Sequence, residues 1–252
     1  MLIKRKNPKK TQTECLASVS LDGKSIKHLT LEQQTPEVCW AALKQDPLAF
    51  IYTDPNALTE EMCLYAIEKL NNRVEYLTIP TTLQTTKVCL AAIKHHPHFL
   101  FNISPQKRTK EIILAALKQN GALINGLMKT ITKDHPDAHE YCLAAVSSYG
   151  NIIAQIPNDM LTEEICIAAV TNNPNVIRFL LPQARTYAVR RTAVAKDGYT
   201  IQYLSPAERE IDICVAAVLK TPAAIVMLTP EELELVKPYL DYAKNEAQDI
   251  VF

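Results

Sequence analysis

Apolar positions in this chain fall into two alternating pieces, a longer and a shorter one, that together recur about every 24 residues. The clearest copy is TEEICIAAVTNNPNVIRFL, residues 162–180, and close variants start at Thr35 (TPEVCWAALKQDPLAFIYT) and Thr109 (TKEIILAALKQNGALINGL). Nine copies align on one anchor, held by Cys15, Cys39, Cys63, Cys89, Ile113, Cys142, Cys166, Arg190 and Cys214, at intervals of 24, 24, 26, 24, 29, 24, 24 and 24 residues. Counted from the anchor, position +3 is Ser18 in the first copy and alanine in the others, and position +4 is always Val, Leu or Ile. Position +8 is only Gly, Pro or Asn. Position −4 is threonine at Thr11, Thr35, Thr59, Thr85, Thr109, Thr162 and Thr186.

Each feature has a physical role. A threonine at −4 stands where its hydroxyl can accept from a first-turn amide, and acids such as Glu60, Glu61, Glu163 and Glu164 follow where the helix dipole favours them. The pattern predicts a helix of about ten residues around the anchor, apolar at nearly every position and so covered on several sides. Gly or Pro at +8 predicts its stop. The shorter piece is centred at +11, on Ile26, Phe50, Val74, Leu100, Ile124, Ile153, Ile177, Ile201 and Ile225. So little chain remains before the next threonine that it predicts a second helix of barely two turns.

Such units stack, because none can bury its own apolar face alone. The expected fold is an all-α solenoid of about nine short helix-pair repeats over residues 11–228. A basic, loose N-terminal stretch (1–10) precedes it, and a polar C-terminal helical cap and tail (229–252), opening with TPEE, follows it. Two extra residues near Pro80 and Leu83, and five between Leu127 and Cys142, interrupt the period.

Composition narrows the functional classes. Basic and acidic residues balance at 27 each, which removes any global argument for a polyanionic partner and leaves only local charge informative. The longest apolar runs, such as IILAAL, fall far short of a membrane span. MLIKRKNPKK has the charge of an export leader with no apolar segment behind it. The seven cysteines share the anchor position, and equivalent points on stacked helices lie ~8–10 Å apart. Disulfides tolerate Cα separations only to ~7 Å. Buried, reduced cysteines and a reducing compartment are the expectation.

Within this frame the units EVCWAALKQDPLAF, KVCLAAIKHHPHFL, EIILAALKQNGALI and EICIAAVTNNPNVI resemble the bacterial repeat family catalogued as domain of unknown function 4116. The resemblance covers residues 11–228 and carries no catalytic residues. It implies a protein of the bacterial cytoplasm, of a kind that intracellular bacteria deliver into host cells by type IV secretion. The acidic Glu231, Glu232 and Glu234 with the apolar Ile250-Val251-Phe252 end resemble such an export signal; they also read as a capping helix and a frayed end.

The residues themselves offer several chemistries. Asp134, His135, Asp137, His139 and Glu140 form the densest potential metal-ligand set, with Pro136 expected in the first helical turn, and His95, His96 and His98 bracket Pro97. Both also read as polar loops. No CxxC pair, Gly-rich phosphate loop or Ser–His–Asp set supports catalysis, and no cofactor is implied. Residues 165–196 hold no acid but do hold Arg178, Arg185, Arg190, Arg191 and Lys196. Arg190 and Arg191 stand where the repeat is apolar, and burial without partners is costly, so this helix is expected shifted or open to solvent, as a site for an anionic partner or simply as an irregular repeat. Position +13 carries Tyr52, Tyr76, Phe179 and Tyr203, a row that suits partner anchors or edge-of-core packing. The reading that follows is a non-catalytic interaction scaffold or adaptor for a protein partner, a delivered effector acting on a host protein being one form of it. A phosphate, lipid or nucleic-acid binder using residues 178–196, or a metal enzyme using residues 134–140, are the alternatives.

Overall fold

The computed structural model describes residues 10–249, with the side chains of Tyr76 and of residues 241–249 outside that description. The basic stretch before Lys10 and the Ile250-Val251-Phe252 end therefore lie outside the described residues. The chain forms two compact units, residues 1–116 and 117–252. The first holds α1 (Gln12–Leu21), α2 (Pro36–Gln45), α3 (Glu60–Leu70), α4 (Thr86–His95) and the start of α5 (Lys110–Gln119). The second holds the end of α5, a four-residue α6 (Ile124–Leu127), α7 (Ala138–Ser148), α8 (Glu163–Asn172), α9 (Tyr187–Lys196), α10 (Ile211–Lys220) and α11 (Pro230–Asp249). No strand occurs among the described residues. In the first unit α1 to α4 pack each on the next, and in the second α7 to α11 do so, the packing of an all-α helical-repeat solenoid.

The anchor helices form where the pattern places them. Thr11, Thr59, Thr85, Thr109, Thr162 and Thr186 each accept from an amide in the first turn, while Thr35 makes no such bond. Outside the fifth copy, where Gly121–Leu123 leads into α6, the second piece is not an α-helix. It is a six-residue 3-10 helix, as in Pro47–Tyr52 and Pro97–Asn102 of the first unit and Pro174–Phe179 and Gly198–Tyr203 of the second. At three residues per turn, six residues close two turns, which α geometry could not do in that length. A further three-residue 3-10 turn, such as Leu31–Gln33 or Pro206–Glu208, leads into the next anchor helix. Except in the third copy, where α3 runs through Leu70 straight into the 3-10 helix at Asn71, one residue at +7 joins the anchor helix to its 3-10 helix. Where it is Asp46 or Asn173 its side chain accepts from the amide two residues on, at 2.9 and 3.1 Å.

Glycine at +8 has a different task from the expected stop, since no described glycine has positive φ. A Cβ on Gly121 would sit 2.0 Å from the Ala145 carbonyl oxygen, and one on Gly198 2.1 Å from that of Ala217. These glycines exist for close approach to the +3 alanine of the next repeat. Their amides are then claimed by that repeat: Gly23 donates to Gln45 Oε1 (2.7 Å), Gly150 to Asn172 Oδ1 (2.8 Å) and Gly198 to Thr221 Oγ1 (3.0 Å). Where +8 is Pro47 or Pro174 there is no amide to satisfy, and the next repeat carries Lys69 or Lys196, which accept nothing.

The anchor helices bury positions −1, 0, +3 and +4, for example Val88, Cys89, Ala92 and Ile93 in α4 or Ile165, Cys166, Ala169 and Val170 in α8, except that α1 buries only Cys15 and Val19 and that Arg190 of α9 is half-buried. The +11 residues of the 3-10 helices, from Ile26 and Phe50 to Ile177 and Ile201, close the core from the other side. Coverage on several sides does not extend to positions +1 and +2, which in all copies but two stay half-buried although apolar, Ala17 and Arg191 being exposed.

Candidate functional site

The seven cysteines are free and buried. Burial pushes the thiols of Cys39, Cys142, Cys166 and Cys214 up to about 11 and that of Cys63 to about 12, and raises that of Cys89. Such thiols are poor nucleophiles at neutral pH. Cys39 and Cys214 donate instead to the carbonyl of the residue five before them, Gln34 or Arg209, at 3.4 and 3.7 Å.

Arg190 occupies that same anchor position, and its helix is neither shifted nor opened: α9 keeps the register of the other copies. Its Nη1 donates at 2.8 Å to the carbonyl of Arg185, the bond that the cysteines make elsewhere. Its Nη2 pairs with Glu210, and the side chain is 13% exposed. Glu210 stands at the −4 position of the following repeat, where threonine is usual, so two departures from the pattern meet one another. Residues 165–196 lack acids in sequence only. The following repeat turns Glu208, Glu210 and Asp212 toward them.

The remaining arginines divide. Arg185 is a repeat-to-repeat clamp: Nε donates to the Leu180 carbonyl and Nη1 to that of Tyr203, both at 2.9 Å, and Glu208 lies 3.5 Å away. Burial raises the Glu208 carboxyl, but donation from the Ser205 amide and hydroxyl and the charges of Arg185 and Arg190 together hold it below its usual range. Arg191 is more exposed and sits 3.4 Å from Asp212, which also accepts from the Tyr187 hydroxyl. Lys196 is exposed. Arg178 is exposed too, its guanidinium 4.6 Å over the Phe179 ring and 6.0 Å from that of Tyr203. The +13 row is thus brought together at Phe179 and Tyr203 in the second unit. In the first unit Tyr52 is exposed beneath the Lys27 ammonium at 5.8 Å, and the Tyr76 side chain lies outside the described residues.

The histidine clusters separate. Helix α7 begins only at Ala138, so Pro136 as well as His135 precedes it, contrary to the expected first-turn proline. Asp137 continues the turn, its amide donating to His135 Nδ1 at 3.1 Å, while His139 faces Thr162 (3.2 Å) and Glu164 (3.4 Å) of the next repeat. His95 pairs with Asn71 at 2.8 Å and His96 with Glu75 at 2.6 Å. Among the described residues no three His, Cys, Asp or Glu side chains gather into a metal site.

What sequence reasoning missed is the open face of the anchor helices. In the first unit Leu16, Trp40, Leu64 and Leu90 occupy +1, with Ala41, Tyr65 and Ala91 at +2, all half-buried. In the second unit Leu143, Ile167 and Val215 continue +1, and Arg191 interrupts it. Shallow grooves run along this face. One of about 510 Å³ in the first unit is lined by Glu37, Trp40, Ala41 and Lys44. Another of about 470 Å³ in the second lies among Arg191, Ile211, Asp212, Val215, Leu219 and Tyr239. The signal was available: apolar residues at +1 and +2 exceed what the −1, 0, +3, +4 stripe needs.

Comparison of the chain with family models, with curated proteins and with solved structures finds no match. Among the described residues no helix is long and apolar enough to cross a membrane.

Proposed function

We propose that this chain is a non-catalytic protein-interaction module that binds an apolar segment of a partner along the open face of its anchor helices. The observation that carries the reading is the repeated strip of half-buried aliphatic and aromatic residues at +1 and +2, flanked by grooves. A repeat array presents the same chemistry at regular intervals, which suits an extended partner, and apolar strips with polar rims mark interaction surfaces. The likeness of the units to the bacterial repeat family supports an adaptor or a delivered effector with a host protein as partner.

The test is capture of partners by the wild type and by a variant with Leu64→Gln, Leu90→Gln and Ile167→Gln, with circular dichroism as the folding control. Partners that bind the wild type and are lost from the folded variant support the reading; a partner set that does not change removes it. An anionic ligand is the second reading. It rests on Arg178 and Lys196, which are exposed, and on Arg191, which is exposed beside Asp212, since Arg185 and Arg190 are largely covered and face carboxylates. A steep fall of binding with salt would favour it.

A further inference from the structure

The open face of the first unit carries charge in a fixed order. At the N-terminal ends of α2 and α3 stand Glu37, Glu60 and Glu61, and at the C-terminal ends of α2, α3 and α4 stand Lys44, Lys69 and Lys94. Between them run Trp40, Leu64, Tyr65 and Leu90. Two of the lysines lean inward over the rings, Lys44 at 5.9 Å from Trp40 and Lys69 at 5.7 Å from Tyr65. The order has two exceptions, and each is paired on the surface: Lys87 lies 3.9 Å from Glu60, and Glu68 lies 3.8 Å from Lys69. The groove lined by Glu37, Trp40, Ala41 and Lys44 shows the arrangement in miniature, with an acid, an apolar floor and a base.

The spacing of the two rails is the informative quantity. Glu37 and Lys44 are seven residues apart on one helix, which at 1.5 Å per residue is ~10 Å, about the diameter of an α-helix with its side chains. The backbone groups of α2–α4 are satisfied within their own helices, so they offer no edge on which an extended strand could pair. A segment docked here must satisfy its own backbone. From the apolar floor, the rail spacing and the charge order, we infer that the first unit binds an amphipathic helix laid across α2, α3 and α4, with acidic residues on the flank facing the lysines and basic residues on the flank facing the glutamates. This rests on the reading of the open face as an interaction surface and adds the class and orientation of the partner. Three helices at ~8–10 Å spacing are spanned by an ~18-residue helix.

Three synthetic ~18-residue helices with one leucine stripe test it: one with glutamate on one flank and lysine on the other, one with glutamate on both, one with lysine on both. Binding to the full chain at physiological salt is followed by fluorescence anisotropy. The mixed helix should bind about tenfold more tightly than either uniform one. The combined change Lys44→Glu, Lys69→Glu and Lys94→Glu makes both rails acidic, so preference should pass to the all-lysine helix. The milder Lys44→Gln, Lys69→Gln and Lys94→Gln set, which alters only solvated positions, should flatten the preference and guards against a folding defect in the first variant. Equal binding of the three helices, or a preference that does not move with the rails, overturns the inference while leaving the apolar face in place. No binding by any of them, together with partner capture that ignores the Leu64→Gln, Leu90→Gln and Ile167→Gln changes, overturns the interaction surface itself.

Discussion

Two loops in each unit solve one hydrogen-bonding problem with different residues, while Arg108, at the same position in the first unit, donates to the Ile103 and Phe101 carbonyls of its own loop. In the first, Gln34 and Gln84 stand five residues before an anchor and are buried. Gln84 donates at 2.9 Å to the Ile79 carbonyl and accepts at 2.8 Å from the Ser104 amide in the following loop; Gln34 likewise donates to Ile26 and accepts from Asp54. In the second unit Arg185 and Arg209 stand at that position and donate to carbonyls of their own loop and of the next 3-10 helix. A guanidinium cannot accept, and the amide that glutamine would have satisfied, Ser205 or Thr229, donates at 2.8 Å to Glu208 or Glu232 instead. Those carboxylates lie 3.5 and 3.4 Å from the arginines. An amide does both tasks in one side chain; an arginine needs a glutamate to complete it. The neutral device has no charge to strand, whereas the ionic one binds two repeats only while both partners are present.

The comparison is most sharply probed by pH. Thiols raised to about 11 or 12 keep their protons in the fold, so the stability they lend is complete below the ordinary thiol value near 9 and is lost as pH rises through about 11. Both units carry such thiols, and both should unfold on alkaline titration. Glu208 has the opposite sign: its lowered carboxyl lends stability above about 4.5 that disappears as pH falls through the folded value. Hydrogen exchange should show the loop around Glu208 opening in mild acid before the loops clamped by Gln34 and Gln84. Simultaneous opening would break the distinction.

Next in size is removal of one partner. Arg185→Ala should cost about 3–5 kcal/mol in denaturant unfolding, because it strands a Glu208 that is 13% exposed. Gln34→Ala should cost about 1–3 kcal/mol. Transplanting the neutral device with Arg185→Gln and Glu208→Ala together should recover all but about 1 kcal/mol, whereas Arg185→Gln alone should not. Equal costs for the two alanine variants would mean that charge is not what separates the units.

Arg190 offers a smaller test of the same logic. Glu210→Thr alone restores the usual cap yet leaves Arg190, 13% exposed, without its carboxylate, and should cost about 1–3 kcal/mol. Adding Arg190→Cys returns both positions to the pattern and should bring stability back to within about 1 kcal/mol. Additive losses would show that the two departures are independent. The smallest effect is expected at Asn71, the one described non-glycine residue with positive φ, at 49°. Asn71→Gly relieves that backbone at the loss of the His95 contact, and thermal melting should show a net gain of about 0.5 kcal/mol.

The sequence by itself determined the period, the anchor helix, its threonine caps and its buried cysteine, because each depends on residues within one or two turns of each other. It also held a trace of the clamp: glutamine or arginine recurs five before the anchor at Gln34, Gln84, Arg108, Arg185 and Arg209, and glutamate appears 23 residues after Arg185 and Arg209. Its meaning was hidden because the partners belong to different repeats. Only the tertiary structure decided that the short piece winds as a 3-10 helix, that glycine at +8 makes room for a neighbouring carbonyl, and that the acid-free run at residues 165–196 faces three carboxylates. Local pattern specifies what one repeat is. Which of its polar groups are already answered, and which apolar positions stay open, depends on contacts about 20 residues away along the chain, a separation at which neighbours in space leave no periodic mark of their own.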